Sequence, residues 1–295
     1  MSKRILLYNS FPFHNELFGF FFDYAQNKNF IIDVYCPFDK LEYFKLYQLY
    51  FKFNIISAFN YLDYDLVFVL TDSDWEYKKE WINNKTITLD HWYQIRNKHI
   101  KHHIPVSPFA SNTYKENFII PTYSIPELNY ETKLLIKPLY NINIAIMGRY
   151  IPENIDELKF LKYDKIIFHI INCHGIHPEL KNIENVIIHE NISTINLFNI
   201  LLNCQYIYIT DKNNSHNKNH STSAAIALSF TTGCQLIIPE IMNRSLRLKS
   251  AIIYKPDKDL YLNLDPDYEL VFNEKKYFIN LRNKILDDLI NQIDN

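Results

Sequence analysis

Short β-branched runs alternating with helical patterns constrain this chain more than any other feature. Between residues 185 and 256 four such runs occur, at 186–188, 206–210, 236–238 and 251–254, each separated by a stretch of helical period. Strands that alternate with helices pack as a parallel sheet with both faces covered. Between the second and third runs lies a polar loop that ends in Ser221-Thr222-Ser223, where an Ala-rich helix begins. A hydroxyl-rich loop entering a helix N-terminus beyond the carboxyl end of a strand suits an anionic ligand. The competing reading of the same three residues is a plain N-cap on a core helix.

The first half repeats the alternation. Residues 3–8 read as a buried strand, followed by a loop with His14 and a helix that turns Leu17, Phe20, Phe21 and Tyr24 to one side. A second strand at 30–35 leads to a helix capped by Asp39, with Leu41, Phe44 and Tyr47 inward. The strand at 65–70 runs into Thr71-Asp72-Ser73-Asp74. A further strand at 86–89 delivers Asp90-His91-Trp92 and then a basic, His-rich helix up to His103, and a strand at 118–123 closes this half. Residues 124–141, with Pro126 and Pro138 and no sustained period, read as the connection to a second series. That series begins with a strand at 142–147, Gly148-Arg149, a helix at 155–161 and a strand at 165–171. It ends in a helical tail from Glu274 with Phe278, Leu281, Ile285, Leu289 and Ile293 on one stripe. Two consecutive α/β halves with a flexible join make a cleft, and ligands in such sheets sit beyond the strand carboxyl ends.

Bulk properties exclude some partners. Lys+Arg 31 against Asp+Glu 33 leaves a formal net charge of -2, so no basic field argues for nucleic acid. No apolar run is long enough to span a bilayer, and the first residues lack the apolar core and cleavage site of a secretory signal. Cys36, Cys173, Cys204 and Cys234 are scattered without C-x-x-C spacing, as reduced cytoplasmic thiols are.

The second half resembles the nucleotide-sugar half of GT-B glycosyltransferases. The resemblance runs over residues 141–254 and is carried by ordered pieces: Ile146-Met147-Gly148-Arg149, Asn172-Cys173-His174-Gly175, residues 186–191, residues 193–204, and residues 221–239 with Gly233 before the last strand. It implies two Rossmann-like domains facing a cleft, an acceptor domain over 1–140 and a donor domain over 141–295, with the C-terminal helix crossing back onto the first. It implies that Arg149, after Gly148, pairs with the donor diphosphate, that Ser221, Thr222 and Ser223 bind it through hydroxyls and helix amides, and that His189 and Glu190 lie beside the nucleoside near Gly175. A leaving diphosphate needs donors where charge builds, which an Arg fork and a helix N-terminus supply without a metal. The chain departs from the pattern twice. Ala227-Leu228-Ser229 stand where many relatives carry an acidic residue, and Pro152-Glu153-Asn154 stand where a basic residue often follows Gly-Arg. Glu240, Arg244 and Lys249 are the candidates to take over those jobs. In composition and build the chain also resembles glycosyltransferases of large DNA viruses, which implies action in the host cytoplasm.

For an inverting transfer the acceptor hydroxyl needs a base. His91 oriented by Asp90 suits that near pH 7, and His14 with Glu16 in the first loop is the rival pair. The expected partners are a nucleotide-diphosphate sugar and a glycan or other hydroxyl acceptor, with no cofactor. Two other readings compete. Asp72 and Asp74 resemble the metal-binding Asp-x-Asp of GT-A enzymes. A non-catalytic nucleotide- or glycan-binding protein could keep the fold without the acidic residue at Leu228. His99, His102 and His103 have zinc-like spacing but no accompanying Glu or Cys motif, and read as a solvated basic face.

Overall fold

A computed structural model describes residues 2–9, 16–26, 28–36, 41–70, 85–90, 100–106, 118–136, 138–147, 158–172, 178–210, 224–255 and 258–294. Among these, the chain divides into two compact units, one of residues 1–124 with 277–295 and one of residues 125–218 with 223–276.

The first unit is a six-stranded sheet in the order β3-β2-β1-β4-β5-β6, every neighbouring pair parallel. Its strands are β1 (Lys3–Tyr8), β2 (Phe30–Tyr35), β3 (Asn54–Ile56), β4 (Leu66–Val69), β5 (Thr86–Asp90) and β6 (His102–Pro105). The central runs are apolar without alternation because both faces are covered. One face carries a cluster of Leu6, Tyr8, Tyr61, Tyr64, Val67 and Val69. Against the sheet lies helix α1 (Glu16–Ala25), whose Phe21 ring centroid is 4.4 Å from that of Phe68. Helix α1 is buried all round, since Phe18 and Phe22 are as enclosed as Phe20 and Phe21. Helix α2 (Leu41–Gln48) packs Phe44 against Phe18 and Tyr47 against Phe22.

The second unit repeats the arrangement. Helix α3 (Tyr130–Ile136) precedes β7 (Ile142–Met147), β8 (Leu161–Lys162), β9 (Ile166–Asn172), β10 (Val186–Glu190), helix α4 (Thr194–Asn203), β11 (Tyr206–Tyr208), helix α5 (Ala224–Thr232) and β12 (Gln235–Pro239). Helix α6 (Glu240–Leu246), β13 (Ile252–Tyr254), β14 (Leu260–Tyr261) and helix α7 (Tyr268–Asp294) complete the chain. The main sheet runs β10-β9-β7-β11-β12-β13, again all parallel, with β8 and β14 forming a separate two-stranded ladder. Ser193 caps α4 by accepting from the Asn196 amide. Gly233 ends α5 with φ 70, and a Cβ there would lie 2.7 Å from Cζ of Phe272, so both backbone and packing require glycine.

Several expectations change. The His-rich helix up to His103 is not present at its end: His102 and His103 belong to β6, and the His103 side chain is buried rather than on a solvated face. Residues 118–123 form no strand, although Ile119, Ile120 and Tyr123 are buried and the Ile119 amide donates to Pro105 O. Leu161, expected to end a helix, lies in β8. Residues 125–140 are more than a connection, because α3 docks on α4 within the second unit. There Nζ of the fully buried Lys133 donates to Leu201 O (3.3 Å) and Leu202 O (2.8 Å) in the last turn of α4, where Leu201 O also accepts from the Cys204 amide.

Candidate nucleotide-sugar site

Both main sheets have the strand order 3-2-1-4-5-6, which reverses once, between β1 and β4 in the first unit and between β7 and β11 in the second. Doubly wound sheets bind ligands beyond the strand carboxyl ends at that reversal. In sequence, Gly148 and Arg149 follow directly on β7, and Ser221, Thr222 and Ser223 directly precede α5. These five residues lie outside the described residues, as do Gly175, His14, His91, His99, Asp72 and Asp74, and the Glu16 side chain.

The described part of the rim has its own chemistry. His189 and Glu190 are the last two residues of β10, and Asn191 follows with φ 52. Glu190 Oε1 lies 3.8 Å from Nζ of Lys181. Glu240 opens α6 immediately after β12. Its carboxylate accepts from Arg244 Nη2 at 3.0 Å and pairs with Lys255 Nζ at 3.2 Å. The hydrogen bond from Arg244, then that from Lys255, hold Glu240 below the usual carboxylate range. Two of the substitute residues expected from sequence therefore meet. Lys255 joins them unforeseen, although a lysine directly after a strand could have signalled it. The third, Lys249, offers its backbone amide to Glu274 Oε1 instead. A carboxylate flanked by two cations can accept from sugar hydroxyls while the cations face phosphate oxygens.

Leu228 is 4% exposed in the middle of α5, so the position where an acidic residue was expected faces the core. The hydroxyls of Ser229, Thr231 and Thr232 on the same helix donate back to Ile226 O, Ala227 O and Leu228 O.

In the first unit Asp90 ends β5, as the sequence suggests. Its carboxylate faces His103, a partner not assigned from sequence. Nδ1 of His103 lies 3.2 Å from Oδ1 and 3.0 Å from Oδ2 of Asp90. Oδ2 makes no hydrogen bond, so the N–H aims at Oδ1 and the closer contact is electrostatic. Nε2 of His103 meets Ile100 O at 2.6 Å. With an acceptor at each nitrogen, the imidazolium form is favoured. Burial, the largest single influence, pulls the His103 pKa down, but the hydrogen bond and charge of Asp90 with the carbonyl of Ile100 carry it above the ordinary value. Tyr8 and Tyr35 end β1 and β2 with ring planes 2° apart and centroids 5.4 Å apart, and Phe59 meets both edge-on.

Among the described residues no group of three or more His, Cys, Asp or Glu could hold a metal ion, and no helix is long and apolar enough to cross a membrane. No protein-family profile matches the chain, and no curated protein matches its sequence. Solved structures do match in fold. HepE of Anabaena, crystallised in complex with UDP-glucose, superposes with a TM-score of 0.52 at 12% identity, covering 100% of this chain and 98% of its own. AviGT4, a glycosyltransferase involved in avilamycin A biosynthesis, does so with a TM-score of 0.58 at 7% identity, covering 99% of each chain. The α/β class with two Rossmann-like parallel sheets of GT-B type, expected from sequence, is the fold of this chain.

Proposed function

We propose that the chain is a glycosyltransferase that moves a sugar from a nucleotide-diphosphate donor to a glycan or other hydroxyl acceptor. The observation that carries this reading is the end-to-end fold likeness to HepE, crystallised with UDP-glucose, and to the glycosyltransferase AviGT4. The donor belongs to the second unit. Arg149 and the loop through Ser221 to Ser223 leave or follow the two strands at the sheet reversal, which supports a diphosphate held there by a guanidinium and helix amides, without a divalent metal. Glu240, set between Arg244 and Lys255, takes ribose or sugar hydroxyls in place of the acidic residue absent at Leu228. His189 and Glu190 adjoin the nucleoside, and Gly175 lets its loop approach. The acceptor belongs to the first unit, with His91 as base and His14 with Glu16 as the alternative. The scatter of Cys36, Cys173, Cys204 and Cys234 without C-x-x-C spacing supports a cytoplasmic setting.

Buried Leu228 favours one second reading, a nucleotide-binding protein without turnover. Thermal unfolding with UDP, GDP, CDP, ADP and their sugars, each with Mn²⁺ or EDTA, separates the readings. A bound nucleotide at 100 times its Kd should add about 2.7 kcal/mol. That gain should survive EDTA and vanish in Arg149→Ala. No stabilisation by any nucleotide would sink the donor reading. Strict Mn²⁺ dependence, lost in Asp74→Asn, would move the chemistry to Asp72 and Asp74. Binding without transfer or donor hydrolysis would leave the non-catalytic reading.

A further inference from the structure

Strands β9 and β10 bring together two histidines. The register pairs Ile187 with His169 and His189 with Ile171, which makes His169 and His189 diagonal neighbours on one face of the sheet. Nδ1 of His169 lies 3.1 Å from Nε2 of His189. The rings are parallel to within 5° with centroids 5.3 Å apart. That separation is the nitrogen distance plus the two ring radii, so the imidazoles meet edge to edge and share one hydrogen bond.

The direction of that bond is decided on its far side. Nε2 of His169 is buried and has no partner. A buried N–H without an acceptor costs more than a bare lone pair, so the His169 proton belongs on Nδ1. It donates to Nε2 of His189, and neutral His189 must then carry its own proton on Nδ1. Both rings are held neutral. Burial, then the neighbouring His189, pulls His169 down to about 4, and burial lowers His189. No described group accepts from the remaining N–H.

We infer that His169 is a positioning residue that fixes His189 as an Nδ1–H donor at the carboxyl end of β10, and that this donor selects a nucleobase with a ring carbonyl over one with an amino group. Uracil and guanine present an acceptor oxygen where cytosine and adenine present an amino donor, and two opposed donors leave both unsatisfied. The inference rests on the donor reading above, which sets the nucleoside beside His189, and it adds the class of base.

The full-length chain with ¹⁵N-labelled histidine reports the tautomer directly, since pyrrole-type and pyridine-type ring nitrogens resonate apart. The His189 signals are identified by their loss in His189→Gln. The expected result is a protonated Nδ1 on His189, kept in His169→Asn, whose side-chain amide can donate from the same place, and lost in His169→Leu. Titration with UDP, GDP, CDP and ADP should show UDP binding about tenfold or more tighter than CDP. The preference should fall to within about threefold in His169→Leu and return in His169→Asn. A proton on Nε2 of His189 in the unaltered protein would overturn the inference, as would an unchanged UDP preference in His169→Leu. If none of the four nucleotides binds while His189 still shows its Nδ1 proton, the donor reading itself fails and the base selection falls with it.

Discussion

Gly19 shows how a single residue can be decided by one contact. It sits inside α1, where alanine would ordinarily gain about 1 kcal/mol of helix propensity. A Cβ at this position would lie 2.4 Å from Cε1 and 2.5 Å from Cδ1 of Tyr123, whose ring is buried and hemmed by Tyr47 and Phe51. Overpacking a closed core costs about 1–3 kcal/mol, more than the propensity returns. Gly19→Ala should therefore destabilise the first unit, measured by urea unfolding, and the double variant with Tyr123→Leu should recover part of the loss. An alanine variant as stable as the parent would show that the ring has room to shift. The glycine was visible in the sequence but its reason was not, because Tyr123 is far along the chain. His103 makes the same point. Its spacing with His99 and His102 reads as a helix face, whereas the strand register sets it opposite Thr88 and within reach of Asp90. Side-chain partners chosen across a sheet leave no local trace.

Elements were more legible than their inward faces. The strands β1, β2, β4, β5, β7, β9, β10, β12 and β13 fall where apolar β-branched runs announce them, and the central ones, covered on both faces, are the most continuously apolar. Helix α7 was equally plain, but its buried line was not. The sequence stripe includes Leu281, Ile285 and Leu289, while the buried positions over 277–294 are Phe278, Arg282, Leu286 and Ile290. Arginine on that line is explained by what it closes. Nη1 of Arg282 donates at 3.0 Å each to Phe20 O, Thr122 O and Asp23 Oδ2, so one guanidinium ties the helix to α1 and to the segment after β6. Removing one side of a buried ion pair strands the other, at about 3–5 kcal/mol. Arg282→Ala should lower the urea midpoint accordingly, and Arg282→Lys should recover little, because the shorter side chain stops short of the Nη1 position and gives up the bonds that Nε and Nη2 donate to Asn283 Oδ1. Full stability in the lysine variant would show that charge alone suffices. Around the candidate site, the loops after β7 and before α5 are proposals from residue type that lie outside the described residues. The grouping of Glu240 with Arg244 and Lys255 could not be read from residue type, as it needs the β12–β13 register to bring 240 and 255 together.

Across the whole molecule, the two units hold histidines poised in opposite senses. In the first, His103 is raised above its ordinary value, so its stabilising ion pair with Asp90 is complete below about pH 6.5 and is lost as pH rises through the folded value. In the second, His169 is lowered to about 4, and His189 is also lowered. Their neutral pair is complete above about pH 6.5. Between there and pH 4 the unfolded chain binds protons that the folded one refuses, so stability falls with pH. For His169 the effect is about 2 kcal/mol, allowing for the solvent that screens a partly exposed ring. Acid should therefore loosen the second unit first and alkali the first. Hydrogen exchange resolved by peptide, at pH 5, 7 and 9 and corrected for intrinsic rates, reads each unit separately. Peptides over β9 and β10 should lose protection at pH 5 while those over β5 and β6 keep it, with the order reversed at pH 9. His169→Asn should remove the larger part of the acid response without altering the alkaline one, because it leaves an uncharged donor where the titrating ring stood. Equal loss in both units at pH 5 would mean that carboxylate protonation outweighs the histidine pair.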